Sequence, residues 1–166
     1  MRVYLPATLS LLRQLASAGG LPAPRTGFAV GPALREAYAS GDAEELEYIA
    51  FTDAARASLR LLDADPLAPR RRAVVSADVG EGTVAALTDL DRSAVRVTVP
   101  ITLSDVVSVH LDGPEAVDDV RAAAAAILEA ELGSEDAQFT VDGAEGHELA
   151  WYAAQELGPL LELWTG

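Results

Sequence analysis

A nine-residue segment near the start of the chain recurs in its second half, and this recurrence constrains the fold more than any other sequence feature. Residues 2–10 read Arg-Val-Tyr-Leu-Pro-Ala-Thr-Leu-Ser and residues 96–104 read Arg-Val-Thr-Val-Pro-Ile-Thr-Leu-Ser, so six of the nine positions are identical. Similarity of this kind can mark a duplicated structural unit. It predicts one domain, residues 1–166, built from two related β-α-β-α halves at 1–65 and 94–166 with a connecting segment at 66–93.

Weaker similarities follow each copy of the segment. Phe28-Ala29-Val30 corresponds to Phe139-Thr140-Val141, which predicts a short strand in each half. Asp42 and Asp142 are each followed three residues later by Glu, which is the spacing of a capping box that begins a helix. The alternative to duplication is a chance match, because Val, Leu, Ala and Thr are abundant in this chain.

Hydrophobic periodicity predicts strands and helices along the whole chain. Strands alternate with helices but also occur in neighbouring pairs, which indicates an α/β (α+β) fold with a mixed β-sheet covered by helices. Further strands are predicted at 2–5, 72–79, 95–101 and 107–111. Helices are predicted from Thr8 to Ala18, from Pro32 to Tyr38, from Asp42 to Asp63, from Pro114 to Leu128, and from Asp142 to Leu161 with a kink at Pro159.

The charged residues are strongly unbalanced. The chain has 26 Asp and Glu residues against 12 basic residues, all of them Arg, and its net charge is −14. Nucleic-acid binding requires basic side chains that neutralise phosphates, so no nucleic-acid partner is expected. The acidic surface instead predicts solubility and a protein partner with a basic surface. The absence of Lys and Cys from the sequence excludes Schiff-base chemistry, thiol nucleophiles and thiolate metal sites.

The first residues resemble a secretion signal, but the repeat argues against that interpretation. Arg2 is followed by an apolar stretch and by Ala16-Ser17-Ala18, which has the composition of a cleavage site. Pro6 and Arg13 interrupt the stretch, and the same pattern recurs at 96–104, where a signal peptide cannot lie. No apolar run approaches the ~20 residues of a membrane-spanning helix. We therefore predict a cytoplasmic protein that does not contact membranes.

The segment 142–152 contains the highest concentration of chemically active side chains. His147 and Glu148 resemble the start of a metalloprotease helix, but Trp151 stands where the second His is required, so no metal site is predicted. The pair could act as general acid and base, or it could simply begin a helix whose dipole favours acidic residues. We name Tyr4, His147, Glu148 and Trp151 as candidate ligand- or partner-binding residues, and we name no catalytic residue and no cofactor.

Two other polar features have simpler structural explanations. His110 alternates with Val109 and Leu111 on a predicted strand, so we expect it at the surface or partly covered. Arg70-Arg71-Arg72 follows two prolines, which predicts a solvated linker. A third capping-box spacing, at Asp112, predicts the start of another helix.

Three segments together resemble an uncharacterised protein family. Residues 2–8 read Arg-Val-Tyr-Leu-Pro-Ala-Thr, residues 89–100 read Asp-Leu-Asp-Arg-Ser-Ala-Val-Arg-Val-Thr-Val-Pro, and residues 138–149 read Gln-Phe-Thr-Val-Asp-Gly-Ala-Glu-Gly-His-Glu-Leu. The members of that family are small acidic proteins of high-GC Gram-positive (actinobacterial) bacteria. The resemblance covers the whole chain and implies a soluble bacterial protein, and it brings no activity, cofactor or catalytic residue with it.

Two hypotheses about function follow from the sequence. The first is a non-catalytic interaction or regulatory protein that meets a partner through its acidic surface and through an end formed by Trp151 and Trp164. The second is a small-molecule-binding protein or enzyme with a pocket near the start of the C-terminal helix. The first is preferred at this point, because each candidate catalytic residue also has an ordinary structural explanation.

Overall fold

The structure is a computed structural model that describes residues 1–164, and its centre is an antiparallel sheet of seven strands. The predicted α/β (α+β) class is confirmed, although each strand pairing is antiparallel rather than mixed. The strands are β1 (Arg2–Ala7), β2 (Gly20–Leu21), β3 (Arg25–Phe28), β4 (Ala73–Asp78), β5 (Val84–Ala86), β6 (Ala94–Val97), β7 (Ile101–Thr102), β8 (Val106–Leu111) and β9 (Ala150–Ala153). Their order in the sheet is β5-β6-β3-β1-β4-β8-β9, while β2 and β7 form a separate pair.

Residues 1–164 contain six helices, three of which cover the two faces of this sheet. One face is covered by α1 and α6, and the other is covered by α3, whose far end packs against the α4–α5 pair. Among residues 1–164, no helix is long and apolar enough to cross a membrane. The helices are α1 (Leu9–Ala18), α2 (Pro32–Ala37), α3 (Ala43–Ala64), α4 (Val117–Glu131), α5 (Glu135–Glu145) and α6 (Leu157–Leu163).

The residues of β1 explain why it lies at the centre of the sheet. Val3, Leu5 and Ala7 are fully buried on the α1 face, and Tyr4 is buried on the α3 face. Pro6 continues the strand, although the sequence predicts that the strand ends at Pro6. It lies beyond the single point, Tyr4, at which β1 pairs with β3, so a residue without an N–H donor is tolerated at this position.

Helix α3 is tied to the sheet by its capped start and by one buried hydroxyl. The Asp42 carboxylate accepts a hydrogen bond from the Glu45 N–H at 2.9 Å, which confirms the predicted helix start. The Ser58 hydroxyl donates to the Ala7 carbonyl at 2.7 Å and accepts from the Ala73 N–H at 3.1 Å. These bonds fix α3 to β1 and to the start of β4. The buried alanines of α3, which let it lie close to the sheet, are Ala50, Ala54, Ala55 and Ala57.

The predicted strand at 139–141 and the predicted helix start at Asp142 are both wrong, because both lie within α5. The helix begins instead at Ser134, whose hydroxyl accepts from the Ala137 N–H at 3.2 Å. Its buried stripe contains Ala137, Val141 and Ala144, which recur at helical spacing. Two apolar residues at 139 and 141 fit a strand equally well when they are considered alone.

Residues 150–153 form the edge strand β9, where the sequence predicts the middle of a long helix. Trp151 and Tyr152 suit a strand, and β8 offers them an open edge to pair with. The predicted kink at Pro159 is also wrong. Pro159 lies in the first turn of the short helix α6, where its missing N–H leaves no hydrogen bond unmade.

The two copies of the repeated segment occupy different places in the sheet. The first copy forms the central strand β1, and the second spans the end of β6 and the short strand β7. Thr8 caps α1, as predicted, and Thr102 caps a short 3-10 turn, so both threonines begin a helical turn. The chain then continues as a helix after Thr8 and as the strand β8 after Thr102. The expectation of equivalent elements after each copy is therefore wrong, while a duplication of the segment itself stays a prediction.

Candidate functional site

A cleft of about 640 Å³ lies over the sheet, beside helix α3. This volume is within the range of small-molecule sites in proteins. The four candidate residues named from the sequence, Tyr4, His147, Glu148 and Trp151, all line it. Tyr4 is far from the other three residues in the sequence, and the sheet brings it to them, because β1 and β9 contribute to the same face and the turn after α5 also lines the cleft.

The register of the strands places a row of polar side chains on the floor of the cleft. Tyr4 on β1 is opposite Ser76 on β4, and Ser76 is opposite Ser108 on β8. His110 is two residues beyond Ser108 and therefore shares its face, and it is opposite Trp151 on the edge strand. Ser76 and Ser108 are only 2% and 3% exposed. The floor is thus polar and built on the paired strands of the sheet.

His110 is the centre of this floor. Its Nε2 lies 3.0 Å from the Ser108 hydroxyl oxygen and 3.3 Å from the Ser76 hydroxyl oxygen. Its ring packs edge-to-face on Phe51 of α3, with 4.8 Å between ring centroids. Burial lowers the pKa of His110 to about 4, because the charged ring would lose its hydration. The ring is therefore neutral near pH 7 and contributes hydrogen bonding rather than charge.

Helix α3 forms one wall of the cleft, and two exposed aromatic residues, one on α3 and one on β9, line it. Tyr48 on α3 is 70% exposed, and Trp151 on β9 is 61% exposed. Burial and then the negative charge of Glu47 raise the pKa of the Tyr4 hydroxyl. The residues that α3 contributes recur at helical spacing and are Glu44, Glu47, Tyr48, Phe51, Thr52, Ala55, Arg56 and Leu59.

A buried ion pair holds Arg72, one of the residues that line the cleft. Arg72 binds the Asp112 carboxylate through two guanidinium nitrogens, each at 2.8 Å, and the two side chains are 3% and 0% exposed. The same guanidinium donates to the His147 carbonyl at 3.0 Å and so fixes the turn that carries the candidate site residues. The prediction of a solvated linker is wrong for Arg72, and the prediction of a helix cap is wrong for Asp112. Removing one partner of such a pair costs about 3–5 kcal/mol, because the other charge stays buried.

His147 and Glu148 do not form an acid–base pair. His147 Nε2 lies 2.7 Å from a carboxylate oxygen of Asp119 on α4, so the imidazole is directed to α4. Glu148 is exposed, and among residues 1–164 it makes no ion pair. The alternative that the two residues begin a helix is also wrong, since they lie in the turn between α5 and β9. Both residues line the cleft, so they contribute to the shape and to the charge of its rim.

The two tryptophans do not form one surface. Trp151 faces the cleft, whereas Trp164 is 9% exposed and packs against Tyr152, with 5.2 Å between ring centroids. Consecutive residues of a strand point to opposite faces of the sheet. Trp151 therefore lies on one side, and Tyr152, with the Trp164 ring packed on it, lies on the other. The partner-binding end that was predicted from these residues is therefore not present as a single patch.

Sequence reasoning missed the serines and the histidine of the floor. Ser76, Ser108 and His110 are single polar residues on apolar strands, and each has an ordinary explanation when it is considered alone. One signal was available: Ser108 and His110 alternate with buried residues, which places both on one face of β8. Only the pairing of β8 with β4 and β1 shows that this face borders a cleft.

Comparison with known proteins assigns a family without assigning an activity. Among residues 1–164, no group of three or more His, Asp or Glu side chains is arranged to hold a metal ion. No curated protein and no solved structure was found that matches the chain. The model of a family of unknown function, DUF6912, matches residues 1–161. This agrees with the resemblance to an uncharacterised family, and the chain belongs to DUF6912, a family of unknown function.

Proposed function

We propose that this protein binds a small molecule in the cleft between α3 and the sheet. The observation that carries the proposal is the convergence of Tyr4, Ser76, Ser108 and His110 on the floor of a cleft of about 640 Å³. Polar residues on the face of a sheet beneath a helix are normally replaced by apolar ones, because burying them requires hydrogen-bond partners. A ligand that exchanges hydrogen bonds with this floor gives the four residues a reason to be there.

Binding is a better account of this site than catalysis. A serine nucleophile needs a base that is oriented by a third group, and it needs donors for an oxyanion. His110 contacts two serines, but among residues 1–164 no carboxylate bonds to its ring. Both serines lie within paired strands, where the neighbouring backbone N–H groups serve the sheet. The site therefore supports recognition, with His110 as a neutral hydrogen-bonding group.

We also propose that the protein acts in the cytoplasm. The stretch that resembles a signal peptide includes β1, and β1 is the buried central strand of the sheet. A protein partner with a basic surface, the other expectation from the sequence, remains compatible with this cleft if the partner inserts a side chain into it.

The experiment that tests the proposal blocks the cleft with one larger side chain. Thr52 is a half-buried wall residue of α3, and Thr52→Trp should fill the cleft without disturbing the core. Thr140→Trp is the matched control, because Thr140 is equally half-buried on α5 and lies outside the cleft. The thermal unfolding of all three proteins is measured with a panel of small amines, amides, carboxylic acids, sugars and nucleosides.

We expect at least one compound class to stabilise the wild type and Thr140→Trp but not Thr52→Trp. Binding to the folded state alone contributes about 2.7 kcal/mol when the ligand is present at about 100 times its Kd, which is a readily measured shift in Tm. A panel in which Thr52→Trp responds like the wild type, or in which no compound gives a Thr52-dependent shift, would contradict the proposal.

A further inference from the structure

We infer that the ligand of this cleft is a small organic cation, an amine or guanidinium, that also carries an uncharged hydrogen-bond acceptor. This inference rests on the proposed function and specifies the chemical class that the same site recognises. It follows from three features of the cleft: the charges on its rim, the aromatic rings at its opening, and the hydroxyl protons on its floor.

The charges around the cleft leave an excess of carboxylates. Each of the three arginines that line it already has a carboxylate partner: Arg2 pairs with Asp78 at 2.6 Å, Arg56 with Glu145 at 3.4 Å, and Arg72 with Asp112 at 2.8 Å. Three further carboxylates line the cleft and make no ion pair within residues 1–164. These are Glu44, Glu47 and Glu148.

This arrangement leaves the cleft with carboxylates that are not paired with a basic side chain. Glu44 and Glu47 lie on α3, and Glu148 lies in the turn after α5, so carboxylates come from two different elements that line the cleft. The three lining arginines are each paired, so the unpaired lining charges are of one sign, and such a site concentrates the oppositely charged ligand. An anion entering the cleft would meet these carboxylates and find each arginine already paired.

The aromatic rings at the opening favour the same kind of ligand. Tyr48 and Trp151 line the cleft and remain 70% and 61% exposed. Large aromatic side chains are normally covered when they lie next to a core, and an exposed ring face attracts a cation through its quadrupole. Amines and guanidinium groups are the organic cations that use such rings together with carboxylates.

The floor supplies donors that need an acceptor. His110 Nε2 is the shared hydrogen-bond partner of the Ser76 and Ser108 hydroxyls, and it carries either one lone pair or one proton. If Nε2 accepts, it satisfies only one of the two hydroxyl protons; if it donates, it satisfies neither. The two hydroxyls thus share a single ring nitrogen, and within residues 1–164 neither has a second hydrogen-bond partner. An uncharged carbonyl or hydroxyl oxygen on the ligand fits such a hydroxyl, because a carboxylate would be repelled by the rim.

The experiment uses four-carbon probes that differ only in these two groups. γ-Aminobutyramide carries the cation and the acceptor, butylamine carries only the cation, butyramide carries only the acceptor, and butyrate is an anion. Binding is measured by calorimetry and by the fluorescence of the two tryptophans, of which Trp151 lines the cleft. We expect γ-aminobutyramide to bind most tightly, with butylamine and butyramide each at least about tenfold weaker and butyrate weakest.

Charge-removing variants test the assignment on the protein side. Glu47→Gln and Glu148→Gln keep the shape of exposed side chains, so folding is not at risk, and each should weaken γ-aminobutyramide about three- to tenfold. Glu129→Gln, on the outer surface of α4, removes the same charge outside the cleft and should leave binding unchanged. The affinity of the wild type should also fall as ionic strength rises.

A capped peptide that carries one arginine distinguishes the source of the cation. Tighter binding of the peptide than of γ-aminobutyramide supports a side chain of a protein partner, and the reverse supports a free metabolite; either result supports the cationic class. Butyrate or butyramide binding as well as γ-aminobutyramide, in a manner that Thr52→Trp abolishes, would overturn the cation and leave the proposed function standing. Absence of any Thr52-dependent binding would overturn both.

Discussion

At the scale of single residues, His110 combines burial with polar contacts that an apolar residue could not provide. Its ring is held between Phe51 and two serine hydroxyls, and no carboxylate within residues 1–164 bonds to it. Burial without a compensating negative charge is the reason that its pKa falls to about 4. The folded protein therefore keeps this ring neutral at a pH where an unfolded chain has already protonated it.

The protonation of His110 predicts a loss of stability in mild acid. The unfolded chain binds a proton at His110 near pH 6.5, and the folded chain binds it only near pH 4, so acidification between these values favours unfolding. Above about pH 6.5 the ring is neutral in both states and no stability is lost. As the pH falls toward 4 the free energy of unfolding decreases, by at most about 3 kcal/mol. Urea unfolding of the wild type and of His110→Gln, from about pH 8 to about pH 4.5, measures it as a difference.

The difference between the two proteins isolates the ring from the other titrating groups. Asp and Glu residues also titrate in this range, but they are common to both chains and cancel in the comparison. The stability of the wild type relative to His110→Gln should decline as the pH is lowered. A difference that stays constant with pH would show that the ring is not kept neutral in the folded protein.

At the scale of elements, the N-terminal ends of the helices show which capping signals in the sequence the fold uses and which it does not use. Asp42 and Asp142 have the same spacing to a following Glu, but only Asp42 caps a helix. Asp142 lies near the end of α5, where its side chain accepts from Gln138 at the surface. The true cap of α5 is Ser134, followed by the acidic first turn that stabilises a helix N-terminus.

Alanine substitutions test these helix starts directly. Asp42→Ala and Ser134→Ala should each lower the free energy of unfolding by about 1 kcal/mol, the usual effect of removing a capping side chain. Asp142→Ala should change it by less than about 0.5 kcal/mol, as expected for an exposed position away from a cap. Denaturant midpoints of the three variants measure the contrast. An Asp142→Ala effect as large as that of Asp42→Ala would mean that α5 begins later than Ser134.

The sequence predicts the N-terminal elements better than the C-terminal ones for a physical reason. β1, α1 and α3 carry local signals that agree: alternation or helical spacing, a capping side chain and a glycine or proline near an end. The segment 139–153 carries conflicting signals, because short apolar pairs fit either period. Its structure is decided by tertiary contacts, with α5 packed on α4 and β9 paired to β8.

The residues of the candidate site also differ in how well the sequence alone predicts them. Tyr4, His147, Glu148 and Trp151 were identified because chemically distinctive residues cluster at 147–151 and because β1 is a strong strand. Ser76 carries no local signal, and the alternation on β8 places Ser108 on a face without showing that the face borders a cleft, since a serine on a strand is common and has no required partner. Their role depends on strand register, which is a property of the whole sheet and is not encoded in any one segment.

At the scale of the whole molecule, the cleft exists because the helices cover the sheet unequally. α1 and α6 cover one face with leucine side chains, while α3 packs on β1, β3 and β4 of the other face. The α4–α5 pair packs against α3 rather than over the floor, and the Arg72–Asp112 pair fixes the turn that also lines the cleft. The polar row on the sheet therefore borders a cleft beside α3, although Ser76 and Ser108 are themselves almost fully buried.

The most direct test of this account is the location of the ligand on the folded protein. In a titration of ¹⁵N-labelled protein with γ-aminobutyramide, followed by NMR, we expect the largest shifts at the amides of Tyr4, Ser76, Ser108 and His110 and at the indole N–H of Trp151. The account predicts that these signals move together with one dissociation constant. Shifts confined to another surface, such as the exposed apolar residues Leu132 and Phe139 of the α4–α5 pair, would contradict it.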